Sequence, residues 1–379
     1  MDKGFRVFLG SLSAATLLVL ATIPAGAAGK LSWTPIAADG TSVYEWGQPV
    51  APGGPGLVPT AVQAAAPQID AGNKGDVLVD TGDHVWAWGG TSMVLREEPG
   101  VEDVVGRPVD GNGSFSVIEA PGLDSSCPAS TTVVNWSPRK APFVVLGLNC
   151  RNVVQLAKAA SYSIALAEDG EVYVWGGSDT GGLGLGPTIT KELNPTLNPY
   201  LSALTGGTAT GVEITAGMSG GGLLVNGRAY AWGGDNHGQC GCGSTASVIP
   251  YPTAVSQGGV AFTWIDEGGD LSGNGHFLAE DTNGQIWAWG DNKQGQLGDG
   301  AKVDSNVPVE VLGLPGDIVD LRAGGQHSMA LDAAGDVYTW GSNRYGQLGD
   351  GTTINATLPE LVMTGASMIS AGAQHSIAQ

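Results

Sequence analysis

The chain has 379 residues and a formal net charge of −20, with 36 acidic against 16 basic residues. A surface this acidic repels phosphate backbones and anionic lipid, and no basic cluster offers a nucleic-acid face. Glycine, at 62 residues, follows no G-X-Y period and so excludes collagen, while eleven tryptophans argue against disorder. Many glycine turns between short apolar runs point instead to an all-β fold.

In chain order, the first feature is an export signal. Lys3 and Arg6 precede an apolar stretch from Val7 to Ile23, and Ala25-Gly26-Ala27 supplies small residues where a signal peptidase cuts. Residues 1–28 are read as a signal peptide cleaved after Ala27 or Ala28, and residues 29–379 as one domain. The apolar core is marginal for a bilayer span, and no later stretch is apolar enough to cross one. The expected address is extracellular or in the cell envelope, with no membrane insertion after signal removal.

A cassette of β-branched and aromatic residues ending in Trp-Gly then recurs. It reads Val43-Tyr44-Glu45-Trp46-Gly47, Val85-Trp86-Ala87-Trp88-Gly89, Val172-Tyr173-Val174-Trp175-Gly176, Ala229-Tyr230-Ala231-Trp232-Gly233, Ile286-Trp287-Ala288-Trp289-Gly290 and Val337-Tyr338-Thr339-Trp340-Gly341. Such runs suit a strand packed on both faces, and the closing Gly lets the backbone leave at a dihedral that other residues avoid. A weaker strand precedes each cassette, most clearly from Ala323 to Leu331, with a hairpin at Asp332 to Gly335. A glycine turn follows, identical at Gly295–Gly300 and Gly346–Gly351 and in phase at Gly181–Gly186 and Gly238–Gly243. About twenty residues beyond each Trp stands a proline (Pro67, Pro108, Pro195, Pro252, Pro308 and Pro359), as an outer edge strand tolerates. Each unit is thus predicted to be a four-stranded propeller blade.

The overlong interval from Trp88 to Trp175 contains Val133-Val134-Asn135-Trp136-Ser137 in the phase of a missing cassette. Counting it as a degenerate unit predicts seven blades anchored by Trp46, Trp88, Trp136, Trp175, Trp232, Trp289 and Trp340; the alternative is six blades plus an insertion. The segment from Ala371 to Gln379 is a lead-in strand without a cassette, and Ala38 to Gly47 is a cassette without a lead-in. Pairing the two predicts a ring closed by one shared blade.

The order Ala-Gly, His-Ser, Val-Tyr-x-Trp-Gly, Gly-Gln-Leu-Gly-Asp-Gly and Pro resembles the repeat of the regulator of chromosome condensation family, most fully from Gly284 to Ala378. The resemblance implies a propeller that binds a partner. In the family's namesake this role is nucleotide exchange on a small nuclear GTPase at chromatin, and no motif of that exchange site is present to carry over.

Cys127, Cys150, Cys240 and Cys242 permit two disulfides in an exported protein, with Cys127–Cys150 the first candidate pair, bracing the degenerate unit. His237 with Cys240 and Cys242 is weighed as a metal set and set aside, because Cys240 stands where Leu297 does and Cys242 where Asp299 does. A local bond between those two cysteines stays open. Asp291-Asn292 and Asp299 fail calcium-loop spacing and read as turn chemistry. His327-Ser328 and His375-Ser376 sit in phase with Tyr162-Ser163 and His276-Phe277, so packing is the expected role and no catalytic residue is assigned. No cofactor or metal is expected.

The leading functional expectation is a monomeric, non-catalytic propeller that binds an unidentified protein. The alternatives are an inhibitor resembling the propeller inhibitors of β-lactamases, an exported enzyme acting on carbohydrate or peptide, or a structural module of the envelope. The irregular segments Glu97–Ser116 and Gly258–Gly275 are the expected location of any insertion-borne site or binding loop.

Overall fold

The computed structural model describes residues 131–379 apart from 138, 139, 149, 219, 245 and 271, together with eight strands between residues 42 and 119. The predicted signal peptide and Cys127 lie outside the described residues.

The described strands form seven four-stranded antiparallel sheets. Six take consecutive strands in order, as in Ile318–Ala323, His327–Asp332, Val337–Gly341 and Ala356–Met363. The remaining sheet runs Gly56–Ala64, Ser42–Gly47, His375–Ala378 and Ile369–Ala371, with Trp46 opposite Ser376. The degenerate unit folds as Val104–Asp110, Phe115–Glu119, Thr132–Ser137 and Lys140–Val144. Each sheet is named below by its cassette Trp, which lies on the third strand from the inside. Neighbouring sheets touch through their innermost strands.

The period of the apolar pattern explains the layering. His327–Asp332 and Tyr162–Ala167 are buried at every position, whereas Lys191–Leu197 and Ser305–Glu310 are partly or fully exposed throughout. Second strands are therefore covered on both faces and fourth strands form the rim. Pro195, Pro252, Pro308 and Pro359 fall on those rim strands, where a missing N–H costs no ladder bond. Pro67 lies outside the described residues, and Pro108 does not fall on a rim strand. The outer strand of the Trp88 blade is Ser92–Glu97, which follows the cassette almost at once, and Pro108 lies in the innermost strand of the next blade. The ladder there is irregular between Val105 and Val109, which accommodates the proline.

Adjacent blades are joined by one repeated contact. Trp232 Nε1 donates to Gly182 O at 2.9 Å, Trp289 to Gln239 O at 3.0 Å, Trp340 to Gln296 O at 2.8 Å and Trp46 to Gln347 O at 2.9 Å. In each case the acceptor belongs to the glycine turn of another blade. Trp289 and Trp340 are fully buried, and each buried indole removes roughly 200 Å² from water, on the order of 5 kcal/mol of transfer free energy. The turn can lie flat on the indole only because it carries glycine. Gly298 has φ +68°, and a Cβ there would stand 2.8 Å from Trp340 Nε1 and 2.9 Å from Val311 Cγ1.

Gly298→Ala is expected to lower stability by about 2–4 kcal/mol, from overpacking added to left-handed strain. Gly351 has a similar φ of +79° but open space around it, so Gly351→Ala is expected to cost only about 1 kcal/mol. Denaturant midpoints of the two variants check this; equal losses would remove the indole contact as the cause.

Candidate functional site

The innermost strands end around a cavity of about 90 Å³. Strand register shows which residues line it and why. Ala71, Lys158, Ala216, Glu267, Ala323 and Ala371 each pair with the second-strand residue that faces the cassette Trp of their blade. In the Trp136 blade the same register falls on Asp110. All six named residues line the cavity. Alanine holds this position in four of the seven blades, and Asp110, Lys158 and Glu267 are ionisable replacements, of which Lys158 and Glu267 line the cavity.

Lys158 Nζ donates to Ser116 Oγ at 2.9 Å and to Asn135 Oδ1 at 3.1 Å, both on the Trp136 blade. Glu267 reaches the Trp232 blade, where its Oε2 accepts from Gly217 N at 3.0 Å, and its Oε1 accepts no hydrogen bond among the described residues. Burial, reinforced by neighbouring Asp266, pushes its carboxyl well above the usual carboxylate range. Glu267 also occupies the space beside Gly217, where a Cβ would stand 2.7 Å from its carboxyl carbon.

The same face carries the turns between second and first strands and the long loops that follow each cassette. Ser342 N, for example, donates to Gln326 O, joining one to the other. In those loops Asn292 Nδ2 donates to Asp299 Oδ1 at 3.0 Å, and Asn343 Nδ2 to Asp350 Oδ1 at 2.9 Å. This is the turn chemistry expected for Asn292 and Asp299. In the Trp232 blade the residue in place of Asp299 is Cys242, whose sulfur lies against that of Cys240. His237 does not join them; its Nδ1 lies 2.8 Å from Asp304 Oδ2 of the next blade.

The His-Ser pairs form a relay between blades. His276 Nε2 lies 2.8 Å from Ser328 Oγ, which donates to Gln296 O at 2.8 Å. His327 Nε2 lies 2.9 Å from Ser376 Oγ, which donates to Gln347 O at 2.8 Å. Each hydroxyl gives its proton to a carbonyl and so accepts from the imidazole N–H. Burial lowers both histidines to about 3, so they stay neutral at physiological pH. A neutral imidazole already donating to the serine cannot take that serine's proton, and the arrangement is structural.

Two expectations are corrected by the strands. Segment 258–275 is no insertion: it contains the innermost strand Phe262–Gly269, which delivers Glu267. Segment 97–116 likewise contains Val104–Asp110. The insertion that the sequence reading missed is the helix Pro199–Thr205, whose cap Asn198 accepts from Tyr200 N and Leu201 N at 3.0 Å. Asn-Pro opening a run that closes on Gly206 was the available signal.

The repeat model described as the regulator of chromosome condensation (RCC1) repeat matches residues 169–217, 226–272, 283–331 and 334–379. The chain belongs to the RCC1 repeat family. The E3 ubiquitin-protein ligase HERC2 of Homo sapiens is 35% identical over 247 residues, covering 63% of this chain and 5% of the ligase. The ultraviolet-B receptor UVR8 of Arabidopsis thaliana is 28% identical over 226 residues, covering 59% of this chain and 49% of the receptor. This chain thus spans less than half the length of either relative. Among solved structures, Prp20p of Saccharomyces cerevisiae superposes with a TM-score of 0.72 at 17% identity, over 92% of each chain. Human WBSCR16 does so with a TM-score of 0.72 at 18% identity, over 89% of this chain and 99% of its own. These likenesses show an RCC1-like propeller fold.

One inter-blade clamp of this RCC1 repeat rests on a buried carboxyl group. Gln155 Oε1 accepts from Ile214 N at 2.8 Å, and Glu213 Oε2 accepts from Ile265 N at 3.3 Å in the next blade along. Burial pushes the Glu213 carboxyl up to about 7. The folded chain then keeps a proton that the unfolded chain loses near its ordinary 4.5, so stability falls as pH rises from 4.5 through 7 and levels off above. Glu213→Gln keeps the acceptor and removes the titration. The variant is expected to exceed the parent by about 3 kcal/mol at pH 8, with the gap closing toward pH 4.5, as denaturant melts across that range will read.

Proposed function

We propose that this chain is a secreted or cell-surface, non-catalytic β-propeller that binds a partner protein through its cavity face. The observation that carries this reading is where the repeat is broken. Lys158, Glu267 and the His237–Asp304 contact replace small or neutral residues of other blades, and all lie on the face of the channel mouth and long loops. A scaffold otherwise locked by repetition varies where a partner would touch it, as binding propellers do. RCC1-like propellers bind protein partners: the structure of Prp20p was determined with its binding properties to Gsp1p and histones, and Kap60 has been seen bound to it. The neutral His-Ser relay supports a non-catalytic role.

Residues 29–379 form one closed ring of seven blades in this reading. Pairing of Ser42–Gly47 with His375–Ala378, and the Ser370 Oγ that accepts from Ala71 N at 2.9 Å, support the closure. The charge of −20 favours a protein over a nucleic acid, and the chain acts as a monomer. Among the described residues no helix is long and apolar enough to cross a membrane. The basic-apolar-small order of residues 3–27 supports export, and the juxtaposed Cys240 and Cys242 sulfurs suit an oxidising compartment, with Cys150 bonded to Cys127.

Two measurements check the proposal. Intact mass of the exported protein is expected to show a start at Ala28 or Gly29 and no alkylatable thiol before reduction. As bait against secreted and envelope fractions of the producing organism, the mature protein is expected to retain one protein at moderate salt. Lys158→Ala with Glu267→Ala is expected to weaken retention, and Tyr200→Ser, on the helix of the opposite face, to leave it unchanged. The reverse pattern would move the binding face.

A further inference from the structure

Where the Trp232 and Trp289 blades meet, three side chains able to ligate a cation converge. His237 comes from the long loop of the first blade, Asp291 from the residue after the second blade's cassette, and Asp304 from the approach to its rim strand. One ligand atom from each lies within 4.8 Å of the others. His237 Nδ1 is 2.8 Å from Asp304 Oδ2 and 3.8 Å from Asp291 Oδ1.

The next junction shows what the repeat requires at these positions. His237 N donates to Gln239 Oε1 as Gln294 N does to Gln296 Oε1, so His237 corresponds to Gln294. Asn292 N donates to Asp304 Oδ1 as Asn343 N does to Asn355 Oδ1, so Asp304 corresponds to Asn355. Asp291 N donates to Gly275 O as Ser342 N does to Gln326 O, so Asp291 corresponds to Ser342. There the blades are joined by a neutral contact, Asn355 Nδ2 to Gln294 Oε1 at 2.7 Å. The scaffold therefore needs neither charge nor imidazole here, yet at this one junction all three neutral residues are replaced by ligand-forming ones.

A second observation points to a cation. Asp291 is fully buried; its Oδ2 accepts from Gln296 Nε2 at 2.7 Å, while its Oδ1, the atom facing His237, accepts no hydrogen bond among the described residues. The ammonium of Lys293 lies 3.2 Å from His237 Nδ1, 3.4 Å from its Nε2 and 3.9 Å from Asp291 Oδ1. With Nδ1–H donating to Asp304, Nε2 is the ring's acceptor for that ammonium, so a point that attracts positive charge is held by Lys293. Its long, half-exposed side chain can swing away. His237 and Asp304 are partly exposed, which leaves a path from solvent.

We propose that His237, Asp291 and Asp304 form a divalent transition-metal site of the zinc class that bridges the two blades, with solvent completing the coordination. One imidazole and two carboxylates suit a borderline cation, and three protein ligands leave a position open. Donors around tetrahedral zinc lie roughly 3.4 Å apart at bond lengths of about 2.0–2.1 Å, and the two separations from His237 bracket that value.

The test is titration of the purified full chain, thiols as isolated, with zinc alone by calorimetry, and metal content by mass spectrometry after dialysis. One zinc per chain is expected. The triple variant H237Q, D291S, D304N installs the residues of the next junction, Gln, Ser and Asn, and is expected to fold while binding zinc at least about a hundredfold more weakly. Should it fail to fold, Asp304→Asn alone is expected to weaken binding about tenfold or more. The proposal is overturned if the parent retains no zinc, if either folded variant binds as tightly as the parent, or if the bound zinc disappears only on alkylating reduced Cys240 and Cys242.

Discussion

Everything else in this fold depends on a buried indole N–H that reaches across a blade boundary to a backbone carbonyl. A four-stranded antiparallel sheet has two faces to cover and cannot cover both alone. The Trp of one blade fills the gap to the next, and its polar edge finds the carbonyl of residue 182, 239, 296 or 347. That acceptor is fixed because the turn carrying it packs glycine on the ring. The hydroxyls of Ser328 and Ser376 converge on the same carbonyls of Gln296 and Gln347, so one acceptor ties together three elements. The packing term is large and non-directional, whereas the hydrogen bonds are small and directional. The first supplies stability and the second sets the angle at which blades meet.

This division explains what could be read without coordinates. The cassettes, the glycine turns and most rim prolines were legible because each encodes a local constraint that recurs at fixed spacing. Even the degenerate Trp136 unit was visible, since Val133, Val134 and Trp136 keep the strand pattern where glycines have been lost. The misreadings came where a loop length changed. After Trp88 the turn collapses, so counting twenty residues to Pro108 overshoots into the next blade. Segment 258–275 looked irregular because Glu267 interrupts the expected Ala-Gly and the ladder shifts between Phe262 and Trp264.

The candidate sites were legible only in part, and for a different reason. Lys158 and Glu267 emerge as substitutions once the inner strands are placed in register, and register comes from the sheet, not from the chain. His237 was singled out for the cysteines near it in sequence. Its actual neighbour, Asp304, lies 67 residues away and belongs to another blade. Contacts of that kind are invisible to spacing arguments, because the repeat hides them at a distance of one full unit.

The sheet containing Trp46 differs from its neighbours in one further respect. The other six are built from strands that follow one another, so each can gather as the chain is synthesised. The Trp46 sheet needs residues 301 apart even for its indole contact, and its middle strand waits for His375–Ala378. Until then the edge of Ser42–Gly47 away from Gly56–Ala64 is unpaired, and the entropy of bringing distant segments together is charged to a single late event. The chain therefore assembles as a row of hairpins that becomes cooperative only at its last step, and the interval before that step is when it is most open to self-association.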